Sequence, residues 1–265
     1  MEEYTAEVLC LGNELLIGRT VNKNATDIAL RLTKLGYKVT RATTIRDELE
    51  SAITCLQEII DRKPDVICIS GGLGPTFDDI QLQVVAKTLN LQIELNEEAL
   101  EMIRSKYEQL NEYRRKMALL PQGSKPLANK VGSAPGVLTM KDDIPIFSMP
   151  GVPREMRDIM DNQVLPYLEQ YHHFSQHLVE FGADIRGARE SDISGITDEV
   201  REKYPEVNFK SHPRKDKQGY FLSLHTYQIT NDSESVKSAL INWIEEIETK
   251  FEISKTGIKP VMDKS

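Results

Sequence analysis

The first 170 residues alternate between short apolar runs and longer segments in which apolar residues recur at helical spacing. This alternation predicts strands over residues 6–11, 37–45 and 66–70 and helices over 25–35, 49–60 and about 79–89. Parallel strands need crossover connections of roughly 12 residues or more, which helices of this length supply. We therefore predict the α/β class, with a three-layer α/β/α arrangement around a mostly parallel sheet.

Downstream, the pattern first continues this unit and then changes. Residues 96–120 are charged and predicted helical, 137–140 and 144–149 are predicted strands joined by a turn, and a helix is predicted over 152–168. After about residue 171, strands are predicted over 178–185, 207–211, 220–227 and 251–254, helices over 191–204 and 233–251, and a polar loop over 213–219. This order is typical of a small ferredoxin-like α+β module. The predicted domains are 1–170 and 171–265.

Composition narrows the class of protein. The 265 residues are 40% hydrophobic and 28% charged, which is ordinary for a globular chain. A net charge of -8 disfavours charge-driven binding to nucleic acid or to an anionic membrane. No apolar stretch approaches the roughly 20 residues of a membrane span, and the acidic start lacks a signal-peptide pattern. We expect a cytoplasmic protein without a nucleic-acid or membrane partner, whose three widely spaced cysteines are buried rather than bridged or zinc-bound.

The segment after the third predicted strand carries the strongest chemical signal. It contains three glycines within four positions, followed by Asp78 and Asp79 at the predicted start of a helix. Glycines let backbone N–H groups approach an oxyanion, and a helix N-terminus favours negative charge. Two aspartates would repel a phosphate unless a cation lay between them, so the segment predicts a phosphate-containing ligand with a divalent metal. The predicted ligand contacts here are Gly71, Gly72, Leu73, Gly74, Pro75 and Thr76. Alternatively, Thr76 and Asp79 form a capping-box-like pair, which leaves the glycines and Asp78 unexplained.

Two further carboxylates follow the first and second predicted strands. These are Glu14 and Asp47. Because the carboxyl ends of parallel strands meet at one edge of a sheet, we expect both to converge with Asp78 and Asp79 on one crevice. Asp47 has an alternative interpretation, in which it caps the next helix together with Glu50. A site with oxygen ligands alone suits Mg²⁺ or Mn²⁺ better than zinc.

Two later turns rich in proline and glycine lie at strand–loop junctions. The second, at 150–153, also opens a predicted helix and so could receive an anion. Both are equally well explained as rigid turns. The candidate ligand contacts in the two turns are Ser133, Ala134, Pro135, Gly136, Pro150, Gly151 and Pro153. The histidines at 172, 173 and 177 are interpreted as a solvated linker rather than a metal cluster.

Four ordered motifs carry a family resemblance. They are Gly12-Asn13-Glu14-Leu15-Leu16-Ile17-Gly18, the segment 71–79, Ser133-Ala134-Pro135-Gly136, and Pro150-Gly151-Val152-Pro153-Arg154-Glu155-Met156. Over about residues 5–165 the chain closely resembles the N-terminal part of CinA (competence/damage-inducible) proteins, which belongs to the MoaB/Mog molybdopterin-binding-like superfamily. The resemblance is weaker from residue 171 onward. The chain stops before the nicotinamide-mononucleotide deamidase domain of full-length CinA, so the resemblance does not extend to that activity.

This resemblance implies a three-layer α/β/α fold with a crevice for a nucleotide-like or pterin ligand. For CinA it implies metal-dependent pyrophosphatase activity on a nucleotide diphosphate such as ADP-ribose, and for Mog-type relatives, molybdopterin binding without hydrolysis. By motif, Asp47 and Asp79 match the acidic catalytic positions, and Glu14, Asp78 and Asp79 are the metal candidates, for Mg²⁺ or else Mn²⁺ or Co²⁺. The resemblance also implies a homo-oligomer. The chain departs from the CinA pattern at Asn13, where Asp is usual, and at Gln81, where Thr is usual.

Overall fold

The structure is a computed structural model and describes residues 4–261. The chain divides into two compact units, Met1–His173 and Phe174–Ser265, of which residues 1–3 and 262–265 lie outside the described part. The sequence-based boundary was placed at residue 170. Each unit is described below by itself.

A six-stranded sheet forms the middle of the first unit. Its strands lie in the order β2-β1-β3-β8-β7-β6. The first four are parallel to one another, β7 is antiparallel to β8, and β6 is antiparallel to β7. The strands of this unit are β1 (Thr5–Leu11), β2 (Lys38–Ile45), β3 (Val66–Ser70), β4 (Ile93–Leu95), β5 (Leu119–Pro121), β6 (Lys125–Leu127), β7 (Gly136–Lys141) and β8 (Ile144–Met149), with β4 and β5 paired separately.

Helices cover both faces of this sheet, which confirms the predicted three-layer α/β/α fold. They are α1 (Asn13–Leu16), α2 (Lys23–Leu35), α3 (Leu49–Asp61), α4 (Gln81–Thr88), α5 (Glu97–Arg104), α6 (Glu112–Lys116), α7 (Pro153–Ile159) and α8 (Leu165–Tyr171), with a π-helical turn at Met160–Val164 between the last two. The helices α3 and α4 pack on one face, and α2, α7 and α8 pack together on the other. The side chain of Asn22 caps α2 by accepting from Ala25 N–H, and Gly36 ends it at φ 118°.

The strand order places a topological switch between β1 and β3. The chain passes from β1 to β2 on one side, and returns to β3 on the other side of β1. In open α/β sheets a crevice forms at such a point, outside the carboxyl ends of the strands. Here those ends are Leu11 and Ser70, so the crevice begins at the loop after β1 and at the glycine-rich segment after β3.

Two local predictions were wrong in this unit. Asp78 and Asp79 do not open a helix, because α4 begins only at Gln81 and both aspartates lie in the preceding turn. The region 96–120 is not one helical stretch but the two short helices α5 and α6 followed by β5. The cause is visible in the sequence, since Asn111 caps α6 by accepting from Arg114 N–H and so marks a new helix start.

The second unit is a separate α+β module. Its elements are β9 (His177–Arg186), α9 (Glu190–Lys203), β10 (Asn208–Asp216), β11 (Gly219–Thr230), α10 (Ser233–Lys250), β12 (Ser254–Lys255) and β13 (Lys259–Pro260). The strand order β10-β11-β9-β12 with antiparallel pairing matches the predicted ferredoxin-like module. Its core lies between the sheet and the two helices, around the fully buried Trp243.

Two further expectations were wrong. Most of the predicted polar loop 213–219 belongs to a hairpin, because β10 extends to Asp216 and β11 begins at Gly219. His172 is not on a solvated linker, because its ring stacks on Tyr4 at 4.2 Å and its Nδ1 lies 2.6 Å from the Tyr37 hydroxyl. Within residues 4–261, none of the helices has the length and apolarity that a membrane crossing requires.

Candidate functional site

The glycine turn, residues 70–75, packs against the end of β1 at a distance that only glycine allows. Gly71 has φ +97° and Gly72 has φ +71°, both in the region that disfavours side chains. A Cβ atom at Gly71 would lie 2.0 Å from the carbonyl oxygen of Leu11. Gly71 N–H donates to the Met149 carbonyl at 3.2 Å, so the turn is also bonded to the end of β8. Gly71 therefore serves close packing at the switch point.

Two polar side chains bind the glycine turn to the Pro150 turn, residues 150–153. Asn24 Nδ2 donates to Ser70 Oγ at 2.7 Å and to the Gly151 carbonyl at 2.9 Å. Ser70 Oγ in turn donates to the Pro150 carbonyl at 3.1 Å. Asn24 and Ser70 are buried, where such hydrogen bonds are strong and costly to lose. The two turns consequently form one rigid edge of the site.

Gln81 supports the glycine turn from below. It is fully buried, its Nε2 donates to the Gly71 carbonyl at 2.8 Å, and its backbone N–H donates to the Gly72 carbonyl at 3.0 Å. The departure from the CinA pattern at this position thus places a longer amide side chain under the turn. Its Oε1 has no hydrogen-bond partner within the described residues.

The two aspartates of the glycine-rich motif share one hydroxyl group. Asp79 Oδ2 accepts from the N–H of Thr76 at 2.7 Å and from its hydroxyl at 2.6 Å. Asp78 Oδ1 lies within hydrogen-bond distance of the same hydroxyl. A hydroxyl carries one proton, so it satisfies only one of these carboxylates at a time. The hydrogen bond from Thr76 and the charge of Lys116 hold the pKa of Asp78 below its usual value.

Asp47 lies close enough to the other acidic candidates to sense their charge. Burial raises its pKa, and the negative charges of Glu14, Asp78 and Asp79 raise it further. A hydrogen bond from Asn13 N–H to Asp47 Oδ2, at 2.9 Å, acts in the opposite direction but does not cancel the rise. Asp47 thus experiences the negative charge of three other carboxylates, which a bound cation would offset.

Two clefts open on either side of the glycine turn. The first cleft, of about 580 Å³, is bounded by residues 72–75, by 150–152, and by the side chains of Tyr107, Arg114 and Glu155. The second cleft, of about 460 Å³, is bounded by Glu14, by residues 19–24 at the start of α2, and by Gly71. Gly151 borders both. The glycine turn and Gly151 therefore separate two neighbouring spaces at the switch point.

Most, but not all, of the predicted site residues line these clefts. The predicted residues that line the first cleft are Gly72, Leu73, Gly74, Pro75, Asp79, Ser133, Ala134, Pro150 and Gly151. Those that line the second cleft are Glu14, Gly71, Gly151 and Pro153. Asp47, Thr76, Asp78 and Pro135 line neither. Gly136 is buried at the start of β7, where an added Cβ would lie 3.0 Å from Ile159 Cγ2, so its place is in the core.

Several site residues carried no recognisable sequence signal. Arg114 lies over the ring of Tyr107, 3.9 Å from its centroid, and both line the first cleft. Glu155 lines the same cleft and accepts from Asn129 Nδ2 at 2.9 Å. In the sequence, Arg114 lies in a basic run, 114–116, and Glu155 lies in the last CinA-like motif, but neither position alone indicates a ligand.

The acidic residues carry the type of oxygen atom that a metal ion binds, but they do not form a complete metal-binding site. Within residues 4–261, no three Asp, Glu, His or Cys side chains are grouped closely enough to hold an ion. Mg²⁺ commonly uses one or two carboxylates, with waters and substrate phosphates completing its shell. The carboxylate oxygens of Glu14, Asp78 and Asp79 are donors of the type that such a site uses.

Comparison with known proteins identifies the family. The model of the family described as "Probable molybdopterin binding domain" matches residues 7–170. The chain belongs to this family. The match covers the first unit and confirms the resemblance to MoaB/Mog proteins.

Proteins of other organisms are similar to this chain over most of its length. A protein of Sulfurisphaera tokodaii is 43% identical over 218 residues, covering 81% of this chain and 82% of the relative. A protein of Sulfolobus acidocaldarius is 37% identical over 259 residues, covering 95% and 97%. Among solved structures, CinA of Thermoplasma acidophilum, a protein of unknown function, is 36% identical with a TM-score of 0.59, over 63% of this chain and 98% of that one. The predicted resemblance to CinA is thereby confirmed.

Proposed function

We propose that the first unit is a metal-dependent pyrophosphatase acting on a nucleotide diphosphate such as ADP-ribose. The observation that carries this proposal is the position of the glycine turn, which separates two clefts at the switch point, with Asp79 lining the first cleft and Glu14 lining the second. A diphosphate joins two bulky halves through a small anionic bridge. Two clefts with a backbone-lined boundary between them suit a molecule of that shape.

The reaction requires water to attack one phosphorus while the bridging oxygen leaves with the other phosphate. For ADP-ribose the products are AMP and ribose 5-phosphate. A bound divalent ion would supply charge neutralisation on the diphosphate. Backbone N–H groups of the glycine turn would hold its oxygens, and Asp47 and Asp79 are the candidates to accept a proton from the attacking water, of which Asp79 lines the first cleft.

The aspartates contribute differently and can be separated by mutation. Asp79 accepts two hydrogen bonds from Thr76 and so stabilises the turn, whereas Asp78 is exposed and contributes less to the stability of the turn. Loss of activity in Asp78→Asn therefore reports on the site more directly than loss in Asp79→Asn. Asp142→Asn is a matched control, because Asp142 lies in the β7–β8 turn at φ 53°, which asparagine tolerates.

The experiment incubates the full chain with ADP-ribose and Mg²⁺, Mn²⁺ or Co²⁺ and measures AMP and ribose 5-phosphate. We expect release by the wild type and Asp142→Asn, with a loss of about 100-fold or more in Asp47→Asn and Asp78→Asn. No release by the wild type with any of these metals refutes the proposal. So do equal rates in wild type and both site variants.

The second candidate function is molybdopterin binding without hydrolysis. It is favoured by the description of the matching family as a molybdopterin binding domain. A pterin bound in the first cleft would copurify with the protein and fluoresce after oxidation. Fluorescence of this kind, together with no turnover of ADP-ribose, would favour this function over the first.

We also propose that the protein forms a homo-oligomer, as its CinA-like relatives imply. Light scattering coupled to size-exclusion chromatography compares the particle mass with the 30.1 kDa of one chain. A mass of one chain across the working concentration range contradicts this proposal.

A further inference from the structure

The acidic turn, residues 76–79, is fastened to the rest of the chain by a single side chain. The turn belongs to no helix or strand, and Thr76 and Asp78 are exposed. Within the turn, Asp79 N–H donates to the Thr76 carbonyl at 3.3 Å, and Thr76 donates to the Asp79 carboxylate. Among the described residues, the hydrogen bonds that reach the turn from elsewhere in the chain come from Lys116. The position of both carboxylates therefore depends on this lysine.

Lys116 holds the turn through two backbone carbonyls. Its Nζ donates to the carbonyl of Thr76 and, at 3.4 Å, to that of Asp79. Hydrogen bonds from an ammonium group are stronger than those between neutral groups. Because the two carbonyls lie at opposite ends of residues 76–79, one side chain fixes the whole segment. Neither of these bonds uses a carboxylate oxygen, so those oxygens are left for a cation.

The helix that carries Lys116 also borders the first cleft. Lys116 is the last residue of α6, and Arg114, two residues earlier, lines that cleft and lies over the ring of Tyr107. Side chains two positions apart on a helix do not face the same side. Asp79 lines the first cleft as well. The α6 helix thus presents one side chain to the cleft and uses another to fix the acidic turn beside it.

We propose that Lys116 is a positioning residue, which holds Asp78 and Asp79 where they can bind the divalent ion of the proposed reaction. The inference rests on the proposed function, because that reaction is what requires the ion. Mg²⁺ accepts only small departures from octahedral geometry, so its protein ligands have to be held in place. Lys116 acts through the turn and not by contact with the substrate.

Charge and positioning predict opposite effects of removing Lys116. A positive charge close to a cation site repels the cation. If its charge were the main contribution of Lys116, Lys116→Met would strengthen metal binding. If its main contribution is positioning, the same substitution releases the turn and weakens metal binding. The carbonyls of the exposed turn can then bind water, so we expect the variant to fold.

The test measures Mn²⁺ binding to the full chain without substrate, from the electron paramagnetic resonance signal of the free ion. Lys116→Met should weaken the affinity by about tenfold, and Lys116→Arg, which keeps the charge and the donors, should recover most of it. Lys125→Met is the matched control, because Lys125 is exposed at the start of β6 and its side chain has no hydrogen bond or ion pair within residues 4–261. Its Mn²⁺ affinity should equal that of the wild type.

Two further readouts separate positioning from substrate contact. The N–H groups of Thr76 and Asp79 should exchange their hydrogen about tenfold faster in Lys116→Met, because the turn opens more often. For ADP-ribose cleavage with Mn²⁺ in excess, kcat should fall about tenfold while KM changes by less than about twofold. A rise in KM alone would mean that Lys116 contacts the substrate, and would contradict the positioning role.

Three results of the Mn²⁺ titration would overturn the inference. They are no binding by the wild type, unchanged or stronger binding by Lys116→Met, and an equal loss in Lys125→Met. If Mn²⁺ affinity and amide exchange change as expected while the wild type releases no AMP from ADP-ribose, the hydrolase proposal fails and the role of Lys116 stands. If the wild type cleaves ADP-ribose and Lys116→Met binds Mn²⁺ equally well, the inference fails and the proposed function stands.

Discussion

Substituting Gly71 by alanine should damage both the fold and the ligand site, because the new methyl group has no space and the backbone angle is wrong for it. At φ +97° an alanine is strained by about 1–2 kcal/mol. Its Cβ would also lie 2.0 Å from the Leu11 carbonyl oxygen, so either the end of β1 or the glycine turn must move. Forced overpacking of this kind costs about 1–3 kcal/mol more. The free energy of unfolding of the first unit should therefore fall by about 2–5 kcal/mol.

Gly123→Ala is the matched control for this substitution. Gly123 has φ +77° but no atom within 4 Å of the added Cβ, so it tests backbone strain without the close contact. We expect about 1 kcal/mol of destabilisation there, since the strain is partly offset by the lower entropy of the unfolded chain.

Urea unfolding followed by far-UV circular dichroism measures both variants. The single tryptophan, Trp243, lies in the second unit, and its fluorescence follows that unit separately. In parallel, AMP and ribose 5-phosphate binding should be lost in Gly71→Ala and retained in Gly123→Ala. Equal destabilisation of the two variants, or full ligand binding by Gly71→Ala, would refute the close-packing argument.

Two further predictions follow from charges in the first unit. Glu7 is only 2% exposed, and its carboxylate accepts from Arg62 Nε and Nη2, both at 2.7 Å. Arg62→Met leaves this buried charge unpaired, so the free energy of unfolding measured in urea should fall by about 2–3 kcal/mol. Adding Glu7→Met should recover most of that loss, and a double variant no more stable than Arg62→Met would contradict this. Burial and neighbouring carboxylates raise the pKa of Asp47, so its carboxyl ¹³C titration in metal-free protein should lie above the ordinary range for Asp. Asp78→Asn removes one negative neighbour and should shift the Asp47 midpoint to lower pH. An unshifted midpoint would mean that the charge of Asp78 does not act on Asp47, and would contradict this prediction.

The sequence was sufficient for the layers of the fold because the decisive signals are local. The strand Val66–Ser70 is buried throughout and is apolar up to Ile69, and Gly36 ends α2 where the helical pattern ends. The predicted polar loop 213–219 was wrong because an exposed strand can consist largely of polar residues. Lys210 to Asp216 lie at the edge of the second sheet, where charged residues and Pro213 are tolerated because one side of the strand needs no partner. A polar edge strand has the composition of a loop.

The site was only partly predictable because its supporting contacts join distant parts of the chain. Asn24 is 46 residues from Ser70 and 127 from Gly151, and no local pattern indicates that these three meet. The glycines, by contrast, were conspicuous in the sequence, but their first physical role is different from the one that composition suggests. At Gly71 the absence of a side chain is required by the Leu11 carbonyl even without a ligand.

The ligand argument therefore depends on what lies on either side of the glycine turn rather than on the glycines themselves. On one side of it, Tyr107, Tyr113 and Arg114 line the first cleft, where aromatic rings and a guanidinium suit a nucleobase and its phosphate. On the other side, the residues that line the second cleft include no aromatic side chain. The difference between the two clefts therefore favours a ligand whose base lies on one side of the turn, and the ADP-ribose assay tests for such a ligand directly.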